Sequence, residues 1–277
     1  MGSMRRMLVS VMVTGVASVS AMPSAAGAAT TEPIPSSMAS TGDSITRAFN
    51  ACGFYFDCTS RSWSTGDYSN TNSHYLRIKA KNSAITGKNF NDAKTGAKMV
   101  DLDGQVATAV TQGVEYVTVE LGANDACTST EAGMTPVSTY RAQVKAALDR
   151  LSAGLPNARV FVASVPDVKR LWFIGKGSYS ARSAWSSYKI CQSLLANPTS
   201  TAQADVDRRN RVQRRVIDFN TQLAQECALY AHCKFDGNAV FNYQFVLSQV
   251  SGWDYFHPNE AGQKALATTT YSAGFGW

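Results

Sequence analysis

The sequence has few charged residues and, outside its N-terminus, no apolar run of the roughly 20 residues that a membrane-spanning helix needs. Charged residues make up 17% of the 277 residues and hydrophobic residues 44%, with 20 glycines and 8 prolines. This composition excludes a disordered, collagen-like or membrane-spanning protein and predicts a globular one. A chain of this length buries about three-quarters of its unfolded surface, so we expect one domain whose core needs no metal or disulfide to form.

The surplus of positive charge is also small. Lys and Arg number 26 against 20 Asp and Glu, a formal charge of +6. Arg5 and Arg6 lie in a segment that we expect to be removed, which leaves 24 cations against 20 anions, or +4. The one basic cluster, at 208–215, is interpreted as the solvated face of a helix. We therefore expect no nucleic-acid partner.

The N-terminus has the pattern of a secretory signal peptide. Two arginines precede a run of small and apolar residues over 7–22, and 26–28 offers a small-x-small cleavage site. A run of about 15 residues interrupted by Ser, Thr and Gly is short for a membrane anchor. With 1–3 interpreted as a cloning remnant, residues 1–28 are expected to be a remnant and signal peptide, and 29–277 a single secreted, extracellular domain.

Export changes how the six cysteines are interpreted, because an oxidising compartment favours disulfides over free thiols. Fifteen pairings are possible. Cys52/Cys58 and Cys227/Cys233 each enclose five residues, and such short loops close easily. That choice leaves Cys127 for Cys191. A zinc site would need Cys-x-x-Cys or His-rich spacing, and the sequence has neither, so we expect no metal.

Strand and helix patterns alternate along the chain. The strand candidates cover 36–41, 88–93, 114–121, 159–165 and 234–241. The helical patterns cover 97–110, 137–151 and 201–230. This alternation predicts a parallel sheet with helices on both faces, and such sheets bind ligands beyond the carboxyl ends of their strands.

Three polar clusters follow predicted elements and contain the groups that acyl transfer needs. They are Gly42-Asp43-Ser44, Gly122-x-Asn124-Asp125 and Asp254-x-x-His257. A serine hydroxyl becomes a nucleophile when an imidazole takes its proton, and a carboxylate fixes the tautomer of that imidazole. An amide side chain and backbone N–H groups can stabilise the oxyanion that forms. His74 and His232 lack an Asp three residues upstream in a comparable turn, so we expect both to be structural.

These three clusters, in this order, resemble the signature blocks of the GDSL, or SGNH, hydrolase superfamily, and the resemblance covers nearly all of the chain after the signal peptide. It implies a three-layer α/β/α sandwich with a mostly parallel, flavodoxin-like sheet of about five strands. It also implies that Ser44 is the nucleophile, that His257 is the general base and acid, and that Asp254 orients His257. No cofactor is implied.

The resemblance further implies an oxyanion hole formed by the backbone amides of Ser44 and a glycine and by the side chain of Asn124. The glycine belongs to a block of the form Asn-x-Ala-x-x-Gly. This block occurs twice in the sequence, ending at Gly87 and at Gly96. The helical pattern that follows the second copy favours Gly96.

The sequence predicts the class of substrate less closely than it predicts the reaction. The superfamily includes lipases, phospholipases, carbohydrate esterases and thioesterases, and a secreted, cationic chain with three disulfides looks most like its actinobacterial lipases and phospholipases. Leu171, Trp172 and Phe173 follow the strand candidate at 159–165 and are candidates to hold an acyl chain, although packing under a loop is an equal alternative. We expect a monomer that acts on acyl esters or phospholipids and contacts lipid interfaces. The alternatives are an acetyl esterase acting on polysaccharide and, with less support, a non-catalytic binding module.

Overall fold

The computed structural model describes residues 1–2 and 33–277. The predicted signal peptide, apart from its first two residues, lies outside the described residues, so its cleavage and the predicted domain boundary at 28/29 stay predictions. Within the described ranges, none of the helices combines the length and the apolar character needed to cross a membrane.

Five parallel strands form one sheet in the order β2-β1-β3-β4-β5. Their bounds are β1 Met38–Gly42, β2 Asn89–Asn91, β3 Tyr116–Glu120, β4 Arg159–Val162 and β5 Cys233–Phe235. Every residue of β1 and β3 is buried, as is typical of a sheet covered on both faces. Gly42 pairs with Glu120, so the loops that follow β1 and β3 leave the same edge of the sheet side by side.

Ten α-helices connect and cover these strands in the described chain. Their bounds are α1 His74–Lys79, α2 Leu102–Gln112, α3 Ala123–Ala126, α4 Val137–Gly154, α5 Val168–Gly175, α6 Tyr179–Ser187, α7 Gln192–Leu195, α8 Gln203–Cys227, α9 Ala239–Asn242 and α10 Glu260–Ala273. Helices α2, α4 and α8 pack together on one face, where Tyr140 stacks on Phe219 with ring centroids 4.0 Å apart. Helices α1 and α10 lie on the other face. The predicted three-layer α/β/α sandwich is therefore confirmed.

His74 joins α1, the sheet and α10 on that second face. Its Nδ1 lies 2.9 Å from the Tyr116 hydroxyl and its Nε2 lies 2.7 Å from Oγ1 of Thr270. Burial lowers the pKa of His74 to about 3, with a smaller contribution from Arg77, so the imidazole is neutral. His74 is thus a packing residue of the core. His232 lies just before β5, with its Nδ1 2.7 Å from Nη1 of Arg159.

Element positions agree with the sequence prediction better than element ends do. The strand predicted at 234–241 is wrong beyond residue 235, because the Asp236 carboxylate accepts the amides of Asn238 and Val240 and turns the chain into α9. The helix predicted from residue 97 begins at Leu102, after a 3-10 turn at Met99–Asp101. Polar side chains that bond to nearby backbone thus end one element and displace the start of another.

Three disulfides join Cys52 to Cys58, Cys127 to Cys191 and Cys227 to Cys233. The first closes a loop shortly after Ser44. The second ties the end of α3 to the start of α7, and the third ties the end of α8 to the start of β5.

Candidate active site

The carboxyl end of β1 lies unusually close to β3, and only glycine permits this approach. Gly42 has φ +149°, and a Cβ atom built there would lie 2.3 Å from the Glu120 carbonyl oxygen and 2.5 Å from Oγ1 of Thr46. The Gln105 side chain of α2 accepts from the Gly42 amide at 2.7 Å and donates to its carbonyl at 2.9 Å. The strand end that precedes Ser44 is therefore fixed from both sides.

A tight turn after Gly42 holds Ser44 at the surface of the sheet edge. The Asp43 carboxylate accepts the Ile45 amide at 2.8 Å, and the Ser44 carbonyl accepts the Phe49 amide at 2.9 Å. Ser44 is 5% exposed. The turn therefore leaves only a small part of Ser44 accessible to solvent.

Asp254 and His257 lie on a second tight turn, just before α10. Tyr255 within this turn has the left-handed φ of +52°, and its carbonyl accepts the indole N–H of the fully buried Trp185 at 2.9 Å. The Asp254 Oδ1 atom accepts the amides of Phe256 and His257 at 2.9 and 3.1 Å. The Asp254 carboxylate is therefore held by the backbone of its own turn.

The two turns meet so that Ser44, His257 and Asp254 form a continuous chain of hydrogen bonds. His257 Nε2 lies 2.8 Å from Ser44 Oγ, and His257 Nδ1 lies 2.6 Å from Asp254 Oδ2. Burial acts to raise the pKa of Asp254, but its hydrogen bond to His257 and those from the backbone outweigh burial and hold the pKa below its ordinary value. An ionised carboxylate, an imidazole and a hydroxyl in this order can move a proton from serine to histidine.

The structure brings Asn124 and Gly96 to the same edge of the sheet as Ser44. Asn124 Nδ2 donates to the Ala97 carbonyl at 2.9 Å and lies 3.4 Å from Oδ2 of Asp43, so its amide joins the loops that follow β1, β2 and β3. Gly96 follows β2 at the carboxyl end, whereas Gly87 precedes β2 at the amino end. Of the two copies of the Asn-x-Ala-x-x-Gly block, only the second therefore ends on the Ser44 side.

Two further carboxyl groups lie buried under these loops. Burial raises the pKa of Asp43 to about 6, and the Ile45 amide and His257 act in the opposite direction. Burial, and then the neighbouring Asp43, raise the pKa of Glu120 well above its ordinary value. Glu120 Oε1 finds no hydrogen-bond partner in the part of the chain described, and Thr46 reaches Oε2 at only 3.5 Å. Burial without a close partner for Oε1 thus favours the protonated form of Glu120.

An apolar cavity opens beside these loops, and Leu171 lines it. The other lining residues include Ile45, Ala123, Phe256, Pro258 and Leu266. Ile45, Ala123 and Pro258 are the direct chain neighbours of Ser44, Asn124 and His257, so the cavity adjoins the candidate catalytic groups.

Trp172 and Phe173 do not line this cavity, so the structure does not bring them together with Leu171 beside Ser44. Residues 168–175 form α5, and adjacent residues of a helix point about 100° apart. Trp172 and Phe173 line a separate cleft with Lys176 and Arg209, where the Trp172 indole donates to the Pro198 carbonyl at 2.8 Å. The predicted acyl-binding patch is therefore split between two faces of one helix.

Three residues that contribute to the site have no signal in the sequence. They are Gln105, which clamps Gly42, Trp185, which holds the Tyr255 carbonyl, and Asn50, whose amide donates to Asp254 Oδ2 at 2.7 Å. Each acts on backbone or side chains far from it in sequence, so no local spacing reveals it. Among the described residues, no group of three or more His, Cys, Asp and Glu side chains is arranged to hold a metal ion.

Comparisons with known proteins agree with this geometry. The sequence profile of the GDSL-like lipase/acylhydrolase family matches residues 40–269. No curated protein sequence matches the chain significantly.

Among solved structures, LAE5, an α/β hydrolase enzyme from the metagenome of Lake Arreo in Spain, has a TM-score of 0.54 at 15% identity, over 86% of this chain and 94% of its own. The extracellular lipase of Streptomyces rimosus has a TM-score of 0.51 at 19% identity, over 86% of this chain and 99% of its own. At these identities the two structures show a shared fold. Because the family profile spans most of the chain, including all three polar clusters, the protein is an ester hydrolase of the GDSL-like lipase/acylhydrolase family.

Proposed function

We propose that the protein hydrolyses acyl esters of lipids through an acyl-enzyme on Ser44. The observation that carries this proposal is the chain of two short hydrogen bonds from Ser44 Oγ through His257 to Asp254. Ser44 Oγ attacks the ester carbonyl as its proton passes to His257 Nε2. The imidazolium then gives that proton to the departing alcohol, and Asp254 stabilises the imidazolium meanwhile.

The acyl-enzyme is then hydrolysed by the same groups. His257 takes a proton from water as the water oxygen attacks the acyl carbon, and it returns the proton to Ser44 as the carboxylic acid leaves. The oxyanion of each step is bound by the amides of Ser44 and Gly96 and by Asn124. One hydrogen of the Asn124 amide is engaged by Ala97, while the other makes only the 3.4 Å contact with Asp43 and is available to the oxyanion.

A lipid acyl chain is supported by the apolar cavity that Leu171 lines. Ten of its thirteen lining residues are apolar, the others being Asp167, Arg170 and Gln249, and it begins next to Ile45, one residue after Ser44. Each methylene buried there stabilises the bound chain by roughly 0.8 kcal/mol. The cavity has a volume of about 60 Å³, which accommodates the first few methylenes of a chain, so it favours acyl groups longer than acetate.

Contact with a lipid interface is supported by the loop that the Cys52–Cys58 disulfide closes. It carries Phe54, Tyr55 and Phe56 with 63, 60 and 50% of their surfaces exposed. The Tyr55 ring packs edge-on against Phe49 at 4.9 Å, and Phe49 lies 5.0 Å from His257, so this aromatic loop reaches to the rim of the site. Exposed aromatic rings next to a catalytic site are suited to the interfacial region of a lipid layer.

The second candidate function is ester hydrolysis on a polysaccharide, and a different surface favours it. Tyr179, Tyr188 and Trp253 line a shallow groove together with the serine hydroxyls of Ser180 and Ser187. Exposed rings with hydroxyl groups between them can stack on sugar rings and bond to their hydroxyls. The protein has both the aromatic 52–58 loop and this groove, so the two candidate functions are distinguished by the substrate that it prefers.

A panel of p-nitrophenyl esters from acetate to palmitate, with a phospholipid and an acetylated xylan, tests the proposal. We expect activity to rise with chain length, phospholipid to be cleaved, and Ser44→Ala to remove activity while leaving the fold intact. An organophosphate should label Ser44 alone. Full activity in Ser44→Ala overturns the acyl-enzyme, and a strong preference for acetylated xylan replaces the lipid substrate by the carbohydrate one.

Interface contact is tested separately, with Ser44→Ala as an inert background. Binding to phosphatidylglycerol vesicles is compared for this protein, for the same protein carrying Phe54→Ser and Phe56→Ser, and for a control carrying Leu229→Ser. Leu229 is also exposed, at 67%, but lies on the connection into β5, at the amino ends of the strands. The phenylalanine variant is expected to lose vesicle binding and the control to keep it. Equal binding by all three contradicts the proposal.

Secretion is supported by the three disulfides, which persist in oxidising compartments. Expression of the full chain in a secreting host, followed by N-terminal sequencing of the extracellular protein, tests it. We expect a mature chain that begins at Ala29. An uncut chain retained with the cells contradicts secretion by this signal.

A further inference from the structure

Asn50 links the Ser44 turn to the Asp254 turn by one buried hydrogen bond. Its Nδ2 donates to Asp254 Oδ2 at 2.7 Å, the same oxygen that faces His257 Nδ1 at 2.6 Å. Only 2% of Asn50 is exposed. We propose that Asn50 is a positioning residue that fixes the Asp254 carboxylate and, through it, the imidazole of His257. This inference rests on the proposed roles of Asp254 and His257.

The geometry at Asn50 is costly by itself. Its backbone has the left-handed φ of +67°, and its Oδ1 atom is buried with no hydrogen-bond partner among the described residues. Left-handed backbone and an unpaired buried amide oxygen are both unfavourable. Turning the amide over would place Oδ1 against the Asp254 carboxylate, and two acceptor oxygens repel each other. Asn50 therefore keeps a strained backbone conformation in which its side-chain Nδ2 bonds to the Asp254 carboxylate.

The surrounding loop keeps Asn50 in this position. The backbone N–H of Asn50 donates to the Phe56 carbonyl at 3.0 Å, and the backbone carbonyl of Asn50 accepts the Gly53 N–H at 3.3 Å. Both contacts belong to the loop that the Cys52–Cys58 disulfide closes. The loop thus fixes the backbone of Asn50 from one side, while Asp254 receives its side chain from the other.

The two oxygens of the Asp254 carboxylate have different partners, and only Oδ2 bonds to Asn50. Oδ1 is held by the amides of Phe256 and His257. Oδ2 faces the imidazole and, apart from His257, receives only Asn50 among the described residues. A charge-assisted donor on Oδ2 fixes its direction and withdraws negative charge from it. Without Asn50, Oδ2 is freer to move and is a stronger acceptor for the imidazolium.

Asn50→Gly is the informative variant, because glycine adopts the left-handed backbone and removes only the amide side chain. We expect kcat to fall roughly 10- to 100-fold with little change in KM, since misplacing the base slows chemistry and leaves ester binding intact. The acid limb of the pH profile is expected to move to higher pH, because a more basic carboxylate holds the imidazolium proton more tightly.

Asn238→Gly is the matched control. Asn238 has almost the same backbone, with φ +66°, but follows β5, the strand farthest from β1 on that side of the sheet. Its activity and pH profile are expected to match those of the unaltered protein. Asn50→Ala, which also removes the amide donor, is expected to shift the acid limb about as far as Asn50→Gly.

Folded Asn50→Gly or Asn50→Ala with unaltered kcat and an unaltered acid limb overturns the positioning role. A loss of stability without either kinetic change does the same, because it shows a purely structural residue. Ser44→Ala, assayed in parallel, separates this failure from that of the proposed function. If Ser44→Ala stays active, the site itself is wrong, whereas an inactive Ser44→Ala beside a fully active Asn50→Gly rejects only the role of Asn50.

Discussion

Leu171 and Trp172 are adjacent in α5, yet they line different cavities. Leu171 faces the apolar cavity next to Ile45 and Pro258, whereas Trp172 lies between the side chains of Lys176 and Arg209, whose charged groups are 4.3 and 4.6 Å from its ring centroid. A rotation of about 100° around the α5 axis thus separates a surface suited to an acyl chain from a surface held by cation–π contacts. Substitutions at these two neighbours should have separable effects.

Filling the cavity at Leu171 should change chain-length selectivity, and changing Trp172 should not. Leu171→Trp is expected to lower kcat/KM for octanoate and longer esters while sparing acetate, by roughly fourfold for each methylene excluded from the cavity. Trp172→Ala should leave the ratio of octanoate to acetate turnover unchanged. The measurement is kcat/KM across the p-nitrophenyl series. A larger change in this ratio for Trp172→Ala than for Leu171→Trp would show that the acyl chain lies elsewhere.

Alanine substitution should introduce similar backbone strain at Gly96 and at Gly87, so the two variants can be compared directly. Their φ angles are +81° and +76°, and a Cβ at either position meets no atom within 4 Å. Alanine at either position should cost about 1 kcal/mol of stability. Only Gly96→Ala is expected to lower kcat, roughly 10- to 100-fold, because it reorients an amide proposed to bind the oxyanion. Equal kcat in the two variants would remove Gly96 from the oxyanion hole.

The second and third disulfides should differ in their effect on activity. Cys127–Cys191 ties α3, which carries Asn124, to α7, and Ser193 reinforces this link by donating to the Ala126 carbonyl at 2.8 Å. Replacing Cys127 and Cys191 by serine is therefore expected to lower both the melting temperature and kcat. Replacing Cys227 and Cys233 by serine should lower the melting temperature alone.

Both effects of the cysteine variants are measured by thermal unfolding and by ester hydrolysis. The loss of stability per disulfide is expected to be about 2–4 kcal/mol. Peptide mapping without reduction checks the three pairs first, and a free thiol at Cys127 would contradict them. Unaltered kcat after loss of Cys127–Cys191 would show that α3 keeps its place without the bond.

The buried carboxyl groups should make the protein less stable as pH rises above about 4. The folded-state pKa values of Asp43, about 6, and of Glu120 lie above those of the unfolded chain. The folded state therefore holds more protons between these values, and its free energy of unfolding falls through that range as pH increases. Asp254, whose pKa is lowered, acts in the opposite direction and only at lower pH.

Glu120→Gln removes one of these titrations and should reduce the fall in melting temperature between pH 4.5 and pH 7.5. Asp67→Asn, at an exposed carboxylate, is the control and should leave the fall unchanged. Thermal unfolding at both pH values gives the comparison. If Glu120→Gln and the unaltered protein show the same fall, Glu120 is ionised in the folded state across this pH range.

The order of elements and the placement of Ser44 and Asn124 at one edge of the sheet follow from the sequence, because parallel strands bring the loops after their carboxyl ends together. The meeting of His257 with Ser44 follows only from the family resemblance, since His257 lies on a turn before α10 and not after a strand. The face of a residue within a short helix does not follow, which is why the sequence alone does not separate Leu171 from Trp172 and Phe173. Asn50 is missed for another reason. Its role depends on a hydrogen bond to a residue 204 positions away, and no spacing in a single sequence encodes that contact.

Gly42 sets a limit on how this enzyme can be re-engineered. Any side chain at position 42 would push β1 away from the Glu120 carbonyl. The loop that carries Ser44 would then move away from the loop that carries Asn124. The spacing between nucleophile and oxyanion donor is therefore not a variable that mutagenesis can tune in small steps. A changed substrate range should instead be sought by varying residues around the site, in libraries directed at α5 and at the 52–58 loop.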